Sequence, residues 1–327
     1  MSRSYCNQAG ELLVPQLSLP SRKKNIVGVL EEANAPPPSF DPKVAAELLE
    51  KGQVETPELG RLAKLAPFGP VAIRLLRLFD RQDLEIRDVV SMVASEAAVT
   101  SELLALVNSP LFGVQGTITE IRRAVAFLGI DRTRALAVTL AMRSLLEGAP
   151  KTPILRRIWK HSVGAAVIAE LLAPAFGISN DVANTAGILH DLGRIGLLTA
   201  YPEPYAALAV HTHESDEAIL AAERKEFGMD HCQAGQFLSE AWRFPRVLQE
   251  VAARHLESPS GLDVLSLVQT SCRLASGLGL SAVVHEEQEG VPETIENHVP
   301  PAIRMRVAEM MRASDRQIFD RIESLDF

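Results

Sequence analysis

Cysteine is scarce in this chain: Cys6, Cys232 and Cys272 are the three among 327 residues, and no Cys-x-x-Cys pair occurs. An odd, widely spaced set does not make a disulfide framework; it fits free thiols in a reducing compartment. Long apolar runs are lacking as well, and none approaches the ~20 residues that a membrane-spanning helix requires. The opening MSRSYCNQAGELLVPQ lacks the basic-then-apolar layout of a signal peptide. These absences predict a cytoplasmic protein with no membrane partner. A basic excess is missing too: 33 Lys and Arg stand against 41 Asp and Glu, a formal charge of −8. That disfavours nucleic acid as a partner, because sequence-independent binding draws on clustered cations. Glycine-rich phosphate loops of the GxGxxG or GxxxxGK[ST] kind are absent. No period-two alternation with hairpin turns is found, which argues against a sheet.

What remains is helical. The composition, 47% hydrophobic and 23% charged, is that of a globular protein, and the length suits about two domains of roughly 150 residues. Residues 1–40 read as a poorly packed leader, broken by Pro15, Pro20 and Pro36-Pro37-Pro38, with a basic knot at Arg22-Lys23-Lys24. Asp41-Pro42 starts a helix and Pro57 another. A third runs from Val71 to Phe79, and Ile86 to Val107 carries an apolar stripe. Thr117 followed by Glu120 predicts a capping box for a helix ending at Gly129, after which Asp131 caps the next to about Leu146. Gly148-Ala149-Pro150 marks a boundary, giving a helical subdomain over 41–150. A second helical subdomain covers 151–282: a helix from Ile158 to Phe176 stopped by Gly177, one capped by Asn180-Asp181, then helices near 215–227, 230–241, 245–256 and 261–279. Residues 283–327 form an acidic loop and a last helix. The fold class is all-α, a multi-helix bundle in which the first helical subdomain packs on the second.

The chemistry-bearing residues cluster in the second half. His161 falls in WKHSVGAA, near a helix start. His190 and Asp191 adjoin where a helix ends, in AGILHDLGRIGLL. His231 follows Asp230, and His255 lies in VAARHLE. Imidazole and carboxylate bind borderline or hard divalent ions when thiolates are not used. In regular helix neighbours point about 100° apart, so a His-Asp doublet needs a break in the helix to aim both groups at one ion. His211 and His213 are two apart and make no i,i+4 chelate. Trp159 and Trp242 read as packing residues, and Arg156, Arg157 and Lys160 as a solvated face with a phosphate-facing role as the rival.

In order, LVNSPLFGVQGTITEIRRAVAFLGIDRTRALAV, IWKHSVGAA, AGILHDLGRIGLL and ERKEFGMDHCQAGQFLSEAWRFP match the pattern of the HDOD (HD-related output domain) family. The chain resembles that family over about residues 60–280, within the HD and HD-GYP metal-phosphohydrolase superfamily. The resemblance implies bacterial signal transduction, and a divalent metal (iron, manganese, zinc or magnesium) with His161, His190, Asp191, His231 and His255 as candidate ligands. It also implies Asp191 as the catalytic carboxylate if the protein is active. Departures weigh against activity. The closing metal-binding aspartate of active HD enzymes falls at Cys272, no Gly-Tyr-Pro tripeptide exists, and Arg254 precedes His255 where a paired histidine is expected. Arginine stays cationic and cannot ligate a metal. We therefore expect a non-catalytic regulatory module with a degenerate metal site. It would act through a signalling protein in trans or a nucleotide ligand, and a homo-oligomer is compatible with it. A metal-dependent phosphohydrolase acting on a nucleotide or cyclic dinucleotide is the rival, and a DNA-binding regulator is third.

Overall fold

The computed structural model describes residues 60–62, 64, 65, 68–77, 85–109, 112–147 and 149–324. The expected leader and the helix begun by Asp41-Pro42 lie outside the described residues, as does the start of the one begun by Pro57. The first half contains α1 (Pro70–Arg77), α2 (Ile86–Ala94), α3 (Ala97–Val107), α4 (Ile121–Leu128) and α5 (Ile130–Glu147). The second contains α6 (Pro153–Phe176), α7 (Asn180–Leu189), α8 (Leu192–Ala200), α9 (Pro202–Val210) and α10 (Asp216–Phe227). It continues through α11 (His231–Ala241), α12 (Arg246–Arg254), α13 (Val264–Gly277), α14 (Val291–His298) and α15 (Arg304–Ser324). Among the described residues extended pairing is confined to an isolated bridge between His213 and His285. The all-α expectation holds.

Helix α6 is the axis of the second half. Thr152 caps it, its hydroxyl accepting from the Leu155 amide at 3.1 Å, and Pro153 takes the first position, where no amide partner is needed. It begins five residues before the expected Ile158, so His161 sits two turns in and not near the start. Gly177, at φ 71°, ends the helix in the left-handed region that glycine enters freely. Buried residues face every side of α6, the mark of a helix enclosed by others; α7, α13 and α15 pack against it. At the crossing with α7 the backbones nearly touch: a Cβ on Gly187 would lie 2.5 Å from Ala166 Cα. That close approach brings the end of α7, with His190, beside His161. One hydrophobic core joins Leu76 and Met142 of the first half to Trp159 and Phe237 of the second. Trp159 is fully buried and Trp242 stacks on Phe68 at 5.5 Å, in keeping with packing roles.

Four local expectations need correction. The stripe over Ile86–Val107 is two helices bent by 117° at Ser95-Glu96. Taken singly, no helix among the described residues is long and apolar enough to cross a membrane. The Thr117–Glu120 box does not form: α4 starts at Ile121 after Glu120, with no side-chain cap. Asn108 holds that segment instead. Its amide donates to Ile118 O and accepts from Ile118 N, both at 2.8 Å, and also donates to Leu104 O at 2.7 Å. Finally, Ser179, not Asn180-Asp181, caps α7 by accepting from Val182 N, and Asp131 lies within the first turn of α5 rather than before it.

The Asn108 clamp fixes Ile118 in a small core with Val107 and Ala124. Asn108→Ala should lower unfolding free energy by about 1–2 kcal/mol, since Ile118 loses both partners at once. A urea denaturation midpoint that does not move would remove the clamp from the account of this subdomain.

Candidate metal centre

Helix ends turn the histidines inward. The last carbonyls of a helix have no intrahelical partner. His190, at the end of α7, places Nδ1 2.7 Å from Gly187 O, and His255, at the end of α12, places Nδ1 3.2 Å from Ala252 O. A carbonyl only accepts, so each Nδ1 carries the proton and each Nε2 a bare lone pair. The same logic applies to His161, whose Nδ1 is 2.9 Å from Leu280 O beyond α13. The Nδ1 of His231 is 2.6 Å from Glu223 Oε2, which also accepts from the His231 backbone amide at 2.9 Å. All four rings thus bond outward through Nδ1 and leave Nε2 for the interior. Outward anchoring of this kind is what orients metal-binding histidines.

The inward atoms meet. His161 Nε2 and His190 Nε2 are 3.2 Å apart, and Cys272 Sγ is 3.4 Å from His161 Nε2. Asp191 Oδ1 is 3.9 Å from His231 Nε2 and 3.8 Å from His255 Nε2. The His190 and His255 ring centres lie 5.0 Å apart and those of His231 and His255 5.4 Å. Every candidate ligand named from the sequence, His161, His190, Asp191, His231 and His255, therefore belongs to one cluster, and Cys272 joins it. Neither oxygen of Asp191 receives a hydrogen bond, and His231 Nε2 has no partner. Six elements supply the groups. The tightest crossing is α8 on α11, where Gly193 comes so near that a Cβ would lie 1.8 Å from His231 O. From α13, Gln269 donates to Arg254 O and Arg273 to Leu256 O, holding the turn that carries His255.

Charge is arranged with equal care. Arg194, one turn after Asp191, places Nε 3.0 Å from Asp191 Oδ1, near but not aligned as a hydrogen bond. Its Nη1 reaches Glu223 Oε1 and the Tyr205 hydroxyl, each at 3.3 Å, and Tyr205 donates to Glu223 Oε1 at 3.0 Å. Burial opposes the charge on Asp191, but Arg194 and the surrounding imidazoles outweigh it and hold the carboxyl well below its usual range. Burial likewise opposes charge on Glu223, and His231 with Arg194 keeps it ionised. Burial and the neighbouring His190 drive His161 down to about 3; burial depresses His190 and, with His190, His255. His231 is the exception: burial and Arg194 oppose its protonation, yet Glu223 and Cys232 raise it to about 10. Burial pushes the Cys272 thiol up.

The sequence profile of the HDOD domain matches residues 65–258. The chain belongs to the HDOD family. An HDOD domain protein of unknown function from Geobacter sulfurreducens has the same fold, with a TM-score of 0.67 at 22% identity, over 86% of this chain and 97% of that one. A candidate phosphohydrolase from Shewanella amazonensis SB2B aligns at TM-score 0.63 and 18% identity, over 82% of this chain and 97% of that one. A candidate signal transduction protein from Marinobacter aquaeolei VT8 gives 0.62 and 17%, over 88% and 67%. Among curated proteins, an uncharacterized protein of Treponema pallidum (strain Nichols) is 24% identical over 186 residues, 56% of this chain. That match spans 36% of the relative's own length.

Within this HDOD chain the arginine beside His255 is not the cation of the cage. Arg254 does not face the site: it turns outward to Glu257, with Nη2 2.7 Å from Oε2. The inward cation is Arg194, which the sequence reading passed over, together with Glu223 and Tyr205. Its i,i+3 spacing from Asp191 was the available signal; nothing local marks Glu223 or Tyr205. Arg157 is half-buried. It ties the loops, with Nε donating to Ala282 O at 2.8 Å and Nη2 to Ala209 O. His213 is half-buried, with Nε2 3.1 Å from Leu208 O.

Proposed function

We propose that this HDOD protein is a regulatory signal-transduction module whose histidine–aspartate cage takes a divalent cation as a structural centre and does not hydrolyse phosphodiesters. One observation carries the reading: His161, His190, Asp191, His231, His255 and Cys272 are each 6% exposed or less. The donor set itself fits a cation. Three Nε2 lone pairs, those of His161, His190 and His255, are fixed inward by carbonyl anchors on Nδ1, His231 also turns Nε2 inward, and a buried carboxylate lacks donors. His161, His190, Asp191, His231 and His255 would hold the ion; when bound it would neutralise Asp191 and could acidify a ligated water at an open position. Hydrolysis needs that open position and a path for substrate, and burial of every donor supports neither. Cys272 in place of the closing carboxylate removes a fixed anion from the cage, and Arg194 already supplies a positive charge to Asp191. Output would then pass to a signalling protein or small ligand bound on the helical surface, with self-association as a further mode.

Metal analysis with thermal unfolding tests this. Zinc or manganese at about 100 times its dissociation constant should stabilise the protein by about 2.7 kcal/mol, and His190→Ala with Asp191→Ala should abolish both the bound metal and the shift. Metal-loaded protein should leave cyclic dinucleotides and other phosphodiesters intact. Turnover that vanishes in the double variant would replace this reading by the second, a metal-dependent phosphohydrolase, which the clustering of four histidines around Asp191 favours.

A further inference from the structure

We propose that His161, His190 and Cys272 form a thiophilic ion site within the cage, with Cys272 ligating as thiolate and zinc or cobalt preferred over manganese or magnesium. The inference deepens the cage reading above and rests on it. Its starting point is a lone-pair conflict. Leu280 O and Gly187 O fix the protons of His161 and His190 on Nδ1, so their Nε2 atoms confront each other at 3.2 Å, acceptor against acceptor. The thiol proton of Cys272 can serve one lone pair; Sγ lies 3.4 Å from His161 Nε2. His190 Nε2 is then left facing a second acceptor inside the protein. A cation among the three atoms relieves the conflict at every edge.

The spacing agrees with a tetrahedral ion. Zinc–nitrogen bonds of about 2.0–2.1 Å and zinc–sulfur bonds of about 2.3 Å put neighbouring nitrogens about 3.3 Å apart and nitrogen and sulfur about 3.6 Å apart. The observed 3.2 and 3.4 Å lie within a few tenths of an ångström of these edges. An independent observation points the same way: Asp191, 1% exposed, has two oxygens without a hydrogen-bond donor beside these rings. Sulfur decides the class of ion. Thiolate favours zinc and its neighbours, whereas carboxylate and water suit magnesium and manganese. Thiolate is a common ligand of structural zinc. On binding, the Cys272 S–H bond gives way to a sulfur–metal bond and the proton leaves to solvent, so uptake of one ion through this thiol releases one proton.

Cobalt reports the bond directly. Metal-free full-length protein titrated with Co²⁺ should develop thiolate-to-cobalt charge-transfer absorption in the near ultraviolet as well as visible d–d bands. Cys232→Ser should keep the charge-transfer band, which excludes the neighbouring thiol. Cys272→Ser and Cys272→Asp should lose it; the Asp variant should retain d–d bands and gain in manganese affinity relative to zinc. Zinc affinity should fall about tenfold or more in Cys272→Ser. Visible cobalt bands without charge transfer in the native protein would overturn Cys272 ligation and leave the cage reading standing. No cobalt binding by native protein would overturn both. The native spectrum decides by itself, whether or not the variants fold.

Discussion

Gly193→Ala should unfold the protein or destabilise it by at least about 3 kcal/mol, above the ordinary cost of overpacking. The added Cβ would meet backbone, not a yielding side chain: His231 O at 1.8 Å, Gly235 N at 2.6 Å and His231 C at 2.8 Å. Relief requires α8 and α11 to separate. That movement would carry His231 away from Asp191, so any folded fraction should also have lost metal affinity. Chemical denaturation measures the first effect and cobalt or zinc titration the second. Folding and metal uptake like native protein would mean that the two helices are not pressed together as described.

Arg194→Ala should cost about 3–5 kcal/mol, the range for breaking a buried ion pair and stranding its partner. Arg194 is 4% exposed, and Asp191 and Glu223 would both lose the cation that compensates them. Arg194→Lys should recover only part of the loss. One guanidinium reaches Asp191 through Nε and both Glu223 and Tyr205 through Nη1, a span that an ammonium point charge cannot reproduce. Arg254→Ala is the control: its pair with Glu257 is solvent-exposed, and stability should hardly change. Guanidinium chloride midpoints for the three variants give the order. Equal losses for Arg194→Ala and Arg254→Ala would sink the assignment of Arg194 as the inward cation.

Much of the site was legible before the fold was seen, for specific reasons. His190-Asp191 falls where α7 ends, and a helix end is the place where adjacent side chains can be turned together. His161, His231 and His255 were legible through the ordered motifs of the HDOD resemblance, not through spacing. Cys272 was identified as the residue at the closing aspartate, but its contact with His161 crosses 111 positions. The direction of Arg254 was open in the sequence because adjacency to His255 carries none: consecutive helical residues point about 100° apart, so when His255 turns in, Arg254 turns out. Glu223 was missed for another reason. It reaches back to His231 across the α10–α11 turn, and only packing decides that one acid of the run ERKEF points inward.

Local chemistry in the chain determined the all-α class, the stops at Gly129 and Gly177 and the identity of the imidazoles and carboxylate, because helix periodicity, caps and breakers act over a few residues. Tertiary structure alone decided that Nε2 of His161 meets Nε2 of His190, that His231 and His255 turn Nε2 toward Asp191, that Arg194 and Glu223 close the charge, and that the whole set is shut away from solvent. Ring orientation is set by carbonyls and carboxylates on other helices, and burial by the helices that surround α6. Neither is encoded at the histidine itself.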